Sequence, residues 1–392
     1  MHPPGADVVL VRHGDLNTKS NAVKRYMGEI LASNVEALLE DRGVPGEYDR
    51  HWNRPRIYTE EAVVDRVASV AADAFGVVST SPALEVPTDF EGIIDALATT
   101  ASECYHDGSF AVDARRADKR VPYTSEDLAV EGGNAIWEAV EERFEPKVDL
   151  DDPDFTFGVE VRENAAYVFL DQFDGPGGLP LGSQGPLVAL VSGGIDSPVA
   201  AYEVMKRGCP VIPVYVDLGH YGGIDHEARA METVRTLSRY APNFDMQVYH
   251  VPGGETVALL AETMVQGRML SLRRFFYRIA EHIAEREGAH GIVTGEAIGQ
   301  KSSQTAQNLG VTSRVTDLPI HRPLLSWNKQ DIVDRAREIG TFDDSTIDAG
   351  CNLIAPDRAE TNARLEPLLE AEPEDLLERA NVAAAEATLV DP

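Results

Sequence analysis

Apolar and polar positions along the chain change period several times, and each change marks an element. Val8 to Val11 form a short apolar run that reads as a strand. Behind it Met27, Ile30, Leu31, Val35, Leu38 and Leu39 recur at helical spacing. Positions 56–58 read as a second strand and 60–75 as a second helix, so the chain opens with a small α+β unit that closes near 66–80. A helix is expected around 89–103. Positions 110–120 alternate between faces as a strand does, ending in Arg115, Arg116, Lys119 and Arg120. A helix follows over 125–143 with Ser125 as its N-cap. FTFGVEVRENAAYVFLDQF then reads as two strands joined by a turn at Glu163 and Asn164.

The stretch GPGGLPLGSQGP, 175–186, is rich in glycine and proline but opens no helix. It reads as a linker and not as a dinucleotide-binding glycine motif. Past it the period alternates regularly. Strands are expected at 187–191, 211–216, 246–251 and 291–294, with helices at 198–207, 225–240 and 270–287 between them. Such alternation predicts a doubly wound parallel sheet. The tail after about 359 is Ala/Glu-rich and reads as helical, and no internal repeat is visible.

Composition adds bounds to this picture. A chain of 392 residues with 43% apolar positions is globular and long enough for two or three domains. No apolar run approaches the ~20 residues of a membrane span, and the N-terminus lacks a signal-peptide apolar core, so a cytoplasmic location is expected. Three scattered cysteines, Cys104, Cys209 and Cys351, make neither a disulfide framework nor a CxxC zinc site. The histidines have no metal-binding spacing. The net charge of −30 would ordinarily argue against nucleic acid. A halophile's solvating surface accounts for it better, because molar salt shortens the Debye length to about 3 Å. Local basic clusters then become informative.

The pattern of greatest chemical interest is Ser192-Gly193-Gly194-Ile195-Asp196-Ser197, an apolar strand's exit into a helix. Glycines let a ligand approach the backbone, and exposed amides at a helix N-terminus attract anions. Ser192 and Ser197 would add hydroxyl donors. Asp196 in an anion nest would repel phosphate unless Mg²⁺ bridges the two. A ligand-free strand–helix turn is the plain alternative.

SGGIDS resembles the PP-loop of ATP pyrophosphatases, which cleave ATP between its α- and β-phosphates. GEAIGQKSSQTAQNL, HRPLLSWNKQDIV and GPGGLPLGSQG look like the tRNA 4-thiouridine synthase (ThiI) family. FAVDARRADKRVPYTS with PDFTFGVEVRENAAYVFLD resembles its THUMP RNA-binding domain, and VRHGDLNTKS its N-terminal ferredoxin-like domain. The resemblance implies a ferredoxin-like domain at 1–66, a THUMP domain at 67–177 and a PP-loop domain at 178–392. It implies ATP contacts at Leu190 and Val191 and along the turn, and further ones at Arg273, Gly295 and Gln304. Lys329 matches a lysine that stabilises the phosphates, and Cys351 the cysteine that carries or receives sulfur. Asp343, Asp344 and Asp348 would raise a thiol at Cys351 and so work against its activation. The implied reaction is sulfur transfer to uridine-8 of tRNA through an adenylated O4. The implied partners are tRNA, ATP with Mg²⁺, and a sulfur donor, either a cysteine desulfurase persulfide or sulfide. A sulfur-carrier protein is a further candidate partner, and the oligomeric state is left open, a homodimer included.

Two departures from the family pattern stand out. The chain ends before the rhodanese domain of many bacterial members. Met269 and Leu272 occupy the places where some archaeal members carry a CxxC that helps hold an iron–sulfur cluster. Among the cationic residues, Arg115, Arg116, Lys119 and Arg120 read as RNA-phosphate contacts, which Arg12, Lys19, Lys24 and Arg25 could extend. Sulfur transfer to a carrier protein for the thiamine thiazole, and a non-catalytic tRNA-binding protein, are the alternatives.

Overall fold

The first apolar run forms β1 (Val8–His13), and the helical pattern behind it forms α1 (Asn21–Asp41), which buries Met27, Leu31, Val35, Leu38 and Leu39. β2 (Glu47–Asp49), β3 (Arg56–Tyr58), α2 (Val64–Ala72) and β4 (Val77–Val86) follow. Then come α3 (Phe90–Cys104), β5 (Ser109–Arg116), α4 (Ser125–Val140), β6 (Lys147–Val148), β7 (Phe155–Val161), β8 (Ala166–Phe169) and β9 (Phe173–Asp174). The computed structural model describes residues 1–14, 20–50, 55–117, 119–222, 225–345, 354 and 360–392. They divide into two compact units, Met1–Pro180 and Leu181–Pro392.

In the first unit the nine described strands form one sheet, ordered β2-β3-β1-β4-β8-β7-β5-β6, with β9 against β4. β4 is the joint between its two halves, antiparallel to β1 on one side and to β8 on the other. The sequence reading has no strand there. Ser79 and Ser81 are buried yet polar, and Pro82 sits mid-strand, so the run shows no apolar alternation. α1 and α2 bury one apolar cluster against the sheet, and α3 and α4 bury another. The α4 cap is Thr124 rather than Ser125: its side chain accepts from the Asp127 amide, and Asp127 accepts from the Thr124 amide. This reciprocal pair satisfies two otherwise orphaned donors.

The second unit alternates β10 (Leu187–Val191), α5 (Asp196–Met205), β11 (Val211–Asp217), α6 (His226–Ser238), β12 (Val248–Pro252), α7 (Gly254–Thr263), α8 (Arg268–Glu287) and β13 (Ile292–Val293). α9 (Ala306–Thr312), β14 (Ile320–His321), α10 (Lys329–Glu338), α11 (Phe342–Ser345), α12 (Leu365–Ala371), α13 (Leu376–Ala385) and β15 (Thr388–Val390) complete it. The sheet order is β14-β13-β10-β11-β12-β15, parallel except for β15. β10 is apolar at all five positions because it has a neighbour on each side and helices above and below. The antiparallel edge strand β15 corrects the expectation of a purely helical tail. Three residues, Thr-Leu-Val, are too few to show a period, and pairing with β12 decides their conformation.

α8 runs through the core and buries Leu270, Leu272, Phe275, Tyr277, Ile279 and Ile283, each large side chain contributing ~1.5–3 kcal/mol. The chain proceeds from β10 to β11 and β12 on one side, then crosses to β13 and β14 on the other. The switch point of the sheet therefore lies between β10 and β13. In such sheets ligands bind outside the carboxyl ends of the strands at that point.

Candidate functional site

Two loops leave the sheet side by side at the switch point. The first is the Ser192–Ser197 turn after β10. Ser197 Oγ accepts from the Ser192 amide at 2.9 Å and lies 3.0 Å from Ser192 Oγ. It is also 3.2 Å from the Ser192 carbonyl, to which it donates. Ser197 thus closes the turn from inside, and Ser192 Oγ accepts weakly from the Gly194 amide at 3.4 Å. Gly193 is required by packing, since a Cβ there would lie 2.9 Å from the His226 carbonyl and 3.2 Å from Arg229 Cβ. At Gly194 a Cβ would meet, among the described residues, only Ser192 Oγ, at 3.6 Å, so they leave this side of the turn open. Leu190 and Val191 lead into the turn from the sheet, with Leu190 partly buried and Val191 buried.

Asp196 begins α5, and Lys329 begins α10, 133 positions away. They meet, with Lys329 Nζ 2.7 Å from Asp196 Oδ1. Their side chains are 49% and 28% exposed. An ion pair this open contributes ~0–1 kcal/mol to stability, so a cation and a carboxylate at the mouth of an anion nest need another reason. Sequence and resemblance together point to Asp196, Lys329 and Cys351 as the catalytic residues, and the structure brings together Asp196 and Lys329. Cys351 lies outside the described residues. Ile354, three positions on, is fully buried, and its carbonyl accepts from Arg268 at 3.1 Å.

The second loop begins at Gly295, after β13. A Cβ at Gly295 would lie 2.6 Å from the Asp196 carbonyl carbon and 2.8 Å from the Ser197 nitrogen, so only glycine lets this exit touch the first turn. Glu296 comes next and is buried. Its Oε1 is 3.0 Å from Arg273 Nε, and its Oε2 accepts from Arg322 Nε at 2.8 Å and from the Tyr277 hydroxyl. Arg273 Nη1 donates to the Ser303 carbonyl at 3.1 Å. The Gln304 amide is oriented so that its nitrogen donates to the Ala297 carbonyl at 2.9 Å and its oxygen accepts from Arg273 Nη2 at 3.2 Å. Burial, with Glu296 adding to it, pushes the Tyr277 hydroxyl well above its ordinary range. Burial works against the charge on Arg322, but Tyr277 and Glu296 more than offset it and raise its pKa.

Arg273, Gly295 and Gln304 thus fall in one place, as the sequence reading expects. Glu296, Arg322 and Tyr277 are additions that it did not single out. A carboxylate directly after a glycine at a strand exit was the available signal, together with the arginine of HRPLL.

In the first unit the four cations of the β5 exit do not form one cluster. Arg115 and Arg116 point to opposite faces by strand alternation. Arg115 is 72% exposed and pairs with Asp113 at 3.0 Å, while Arg120 reaches Glu163 at 2.8 Å. Arg116 donates to the carbonyls of Val121 and Tyr123 and so holds the following loop. Lys119 is exposed, and Lys19 lies outside the described residues. Burial pushes the thiols of Cys104 and Cys209 up. Among the described residues no cluster of three or more His, Cys, Asp or Glu could hold a metal, and no helix is long and apolar enough to cross a membrane.

An open, mainly parallel α/β sheet with a glycine turn and convergent cations at its switch point defines a phosphate-binding α/β protein. Residues 182–377 match the family described as thiamine biosynthesis protein (ThiI). Residues 87–171 match the THUMP domain and 8–81 the ThiI ferredoxin-like domain. A probable tRNA sulfurtransferase of Halobacterium salinarum is 56% identical over 386 residues, covering 98% of each chain. One of Methanosarcina acetivorans is 40% identical over 361 residues, 91% of this chain and 87% of that one. The crystal structure of a 4-thiouridine synthetase in complex with RNA and bound ATP superposes with a TM-score of 0.83 at 28% identity, over 98% of this chain and 99% of the other. The chain belongs to the ThiI family, with the family's ferredoxin-like, THUMP and PP-loop architecture.

Proposed function

We propose that this protein is an ATP-dependent sulfurtransferase that converts uridine-8 of tRNA to 4-thiouridine. The observation that carries the reading is the Asp196–Lys329 pair at the mouth of the glycine turn, at the switch point of a chain similar along its length to a 4-thiouridine synthetase solved with RNA and ATP. The geometry suits a nucleotide whose β- and γ-phosphates lie against the turn and the α5 N-terminus. Lys329 then faces the charge that develops as pyrophosphate leaves, and Arg273 holds a phosphate of the bound nucleotide. The uracil O4 attacks the α-phosphate, forming an O4–P bond and breaking the bond to pyrophosphate. The outer sulfur of a persulfide, on Cys351 or delivered beside it, then forms a bond to C4, and AMP leaves with the O4 oxygen. A second thiol breaks the S–S bond, forming a disulfide with the carrier sulfur and releasing 4-thiouridine.

Mg²⁺ fits the donor set. A single carboxylate plus phosphate oxygens and water is how this ion is commonly held, and Asp196 is the carboxylate in place. The ion would neutralise phosphate charge, while Asp196 orients Lys329. Arg115, Lys119 and Arg120 contact tRNA phosphates, and Arg116 shapes the loop that presents them.

The test is in-vitro thiolation of unmodified tRNA with ATP, Mg²⁺ and either sulfide or a desulfurase in high KCl, read by nucleoside mass spectrometry. 4-Thiouridine should form, and with the desulfurase as donor Cys351→Ala should abolish it while tRNA-dependent pyrophosphate release continues. Loss of both would remove the sulfur-carrying role from Cys351.

A further inference from the structure

Glu296 is unusual in this acidic chain because it is buried, at 4% exposure, among cations. Its partners come from two separate elements: Arg273 and Tyr277 from α8, and Arg322 from just past β14. Two guanidiniums converging on a sheet edge would repel each other at close range. One carboxylate between them lets both stay and leaves the trio with a net positive charge. Among the described residues Glu296 Oε1 has no hydrogen bond in good geometry; its contact with Arg273 Nε at 3.0 Å is ionic but poorly aligned. Such a buried arrangement is a weak device for stability alone, because desolvation of the charges consumes most of what their attraction returns. Its position is the informative part. Glu296 follows the glycine that touches the Asp196 backbone, and Arg273 continues from it to Ser303 and Gln304, which belong to the loop closing over the same strand exit.

We propose that Glu296 is a positioning residue for the nucleotide. It fixes the guanidinium planes of Arg273 and Arg322 at the carboxyl end of β13, so that Arg273 meets a nucleotide phosphate without reorganising. Removing the carboxylate leaves Arg273 tethered only to Ser303 and Gln304, free to swing off the phosphate. The proposal rests on reading Arg273 as an ATP contact, and the experiment separates the two.

Steady-state thiolation on the full chain with unmodified tRNA measures KM for ATP and kcat for Glu296→Gln, Arg273→Gln and the double variant. One lost charge-assisted contact predicts a roughly 10-fold rise in KM for Glu296→Gln, with kcat at saturating ATP changing less than about threefold. The double variant should be no worse than Arg273→Gln, since a residue acting through another is not additive with it. Glu372→Gln serves as the stability control. Glu372 is an equally buried partner of Arg274 on the same helix, 3.0 Å from its Nε, but away from the strand exit. It should lower the melting temperature without moving KM. Additive effects, or a Glu296→Gln that behaves like Glu372→Gln, would overturn the positioning role. An unchanged KM in Arg273→Gln would instead overturn the ATP contact beneath it, and the proposal with it. If Glu296→Gln fails to fold, Glu296→Asp keeps the charge but cannot reach both arginines. A calorimetric ATP affinity equal to the parent's would then overturn the proposal.

Discussion

The exits of β10 and β13 are neighbours in one sheet, and they are built on opposite plans. After β10 the chain is glycine-rich and open, and its charged contact among the described residues, Asp196 with Lys329, is solvent-accessible on both sides. After β13 the chain is largely buried as far as Ala297, and its carboxylate, Glu296, is shared by two arginines and a tyrosine. An exposed pair can exchange its partner for a phosphate-bound metal at little cost, because water already solvates both members. A buried pair cannot, because any unpaired charge is stranded in low dielectric. The first exit is suited to binding and releasing a leaving group. The second is suited to keeping the geometry still while that happens.

The comparison breaks most visibly at the two carboxylates. Asp196→Ala should reduce thiolation ~10²–10³-fold, the scale of losing an electrostatic contact to the transition state. Its unfolding free energy should stay within about 1 kcal/mol of the parent. Glu296→Ala should show a much larger stability loss, ~3–5 kcal/mol, because it leaves two arginines buried without their anion. Urea denaturation monitored by tryptophan fluorescence, beside the thiolation assay, gives both numbers. If Asp196→Ala is the less stable of the two, the contrast between the exits is wrong.

Gly295 is where the two plans touch, and a methyl group there sharpens the contrast. The Cβ of Gly295→Ala would overlap the Asp196 backbone at 2.6 Å, and backbone cannot rotate away as a side chain can. The SGGIDS turn must move by a fraction of an ångström to an ångström. Misplacement on that scale costs about 10²-fold in rate, and overpacking of this kind ~1–3 kcal/mol in stability. ATP affinity should fall with the rate. Normal ATP affinity in a folded Gly295→Ala protein would mean that the turn does not depend on its neighbour for its shape.

Much of the first exit can be read from the sequence, and little of the second. An apolar strand, two glycines, an aspartate and a helix are contiguous, so periodicity and turn chemistry reveal them together. Lys329 becomes visible only through family resemblance, because a lysine at a helix start is ordinarily a surface residue. The Glu296 network joins a pair one helical turn apart, 273 and 277, to positions 296 and 322, which no period links to them and which only packing brings there. For the same reason β4 passed unnoticed: its buried serines answer to strand pairing on both sides rather than to an apolar pattern. At the β5 exit, four cations close in sequence become separate functions once strand alternation turns Arg116 away from Arg115.

The smallest expected effect concerns what lies behind the first exit. His226 starts α6 with its carbonyl against Gly193, and its Nδ1 is 3.2 Å from the buried Tyr215 hydroxyl. Burial, with Arg229, lowers its pKa from the ordinary 6.5, and Asp217 opposes them. The ring is therefore neutral in the folded protein at pH values where the unfolded chain is already protonated. Stability from this group is complete above about pH 6.5 and is lost as pH falls through that value toward the lower folded pKa, where the loss levels off. Carboxylates titrate mainly below this window. Tyr215 also lies beside His250, whose Nε2 is 3.5 Å from Glu227. The informative quantity is thus the difference between parent and His226→Gln, measured by urea unfolding at pH 5.5 and 7.5 in constant KCl. The parent should lose more stability on acidification than the variant. Equal losses would mean that the ring behind Gly193 takes up its proton as readily in the folded protein as in the unfolded chain, and that the open turn has no pH-sensitive support beneath it.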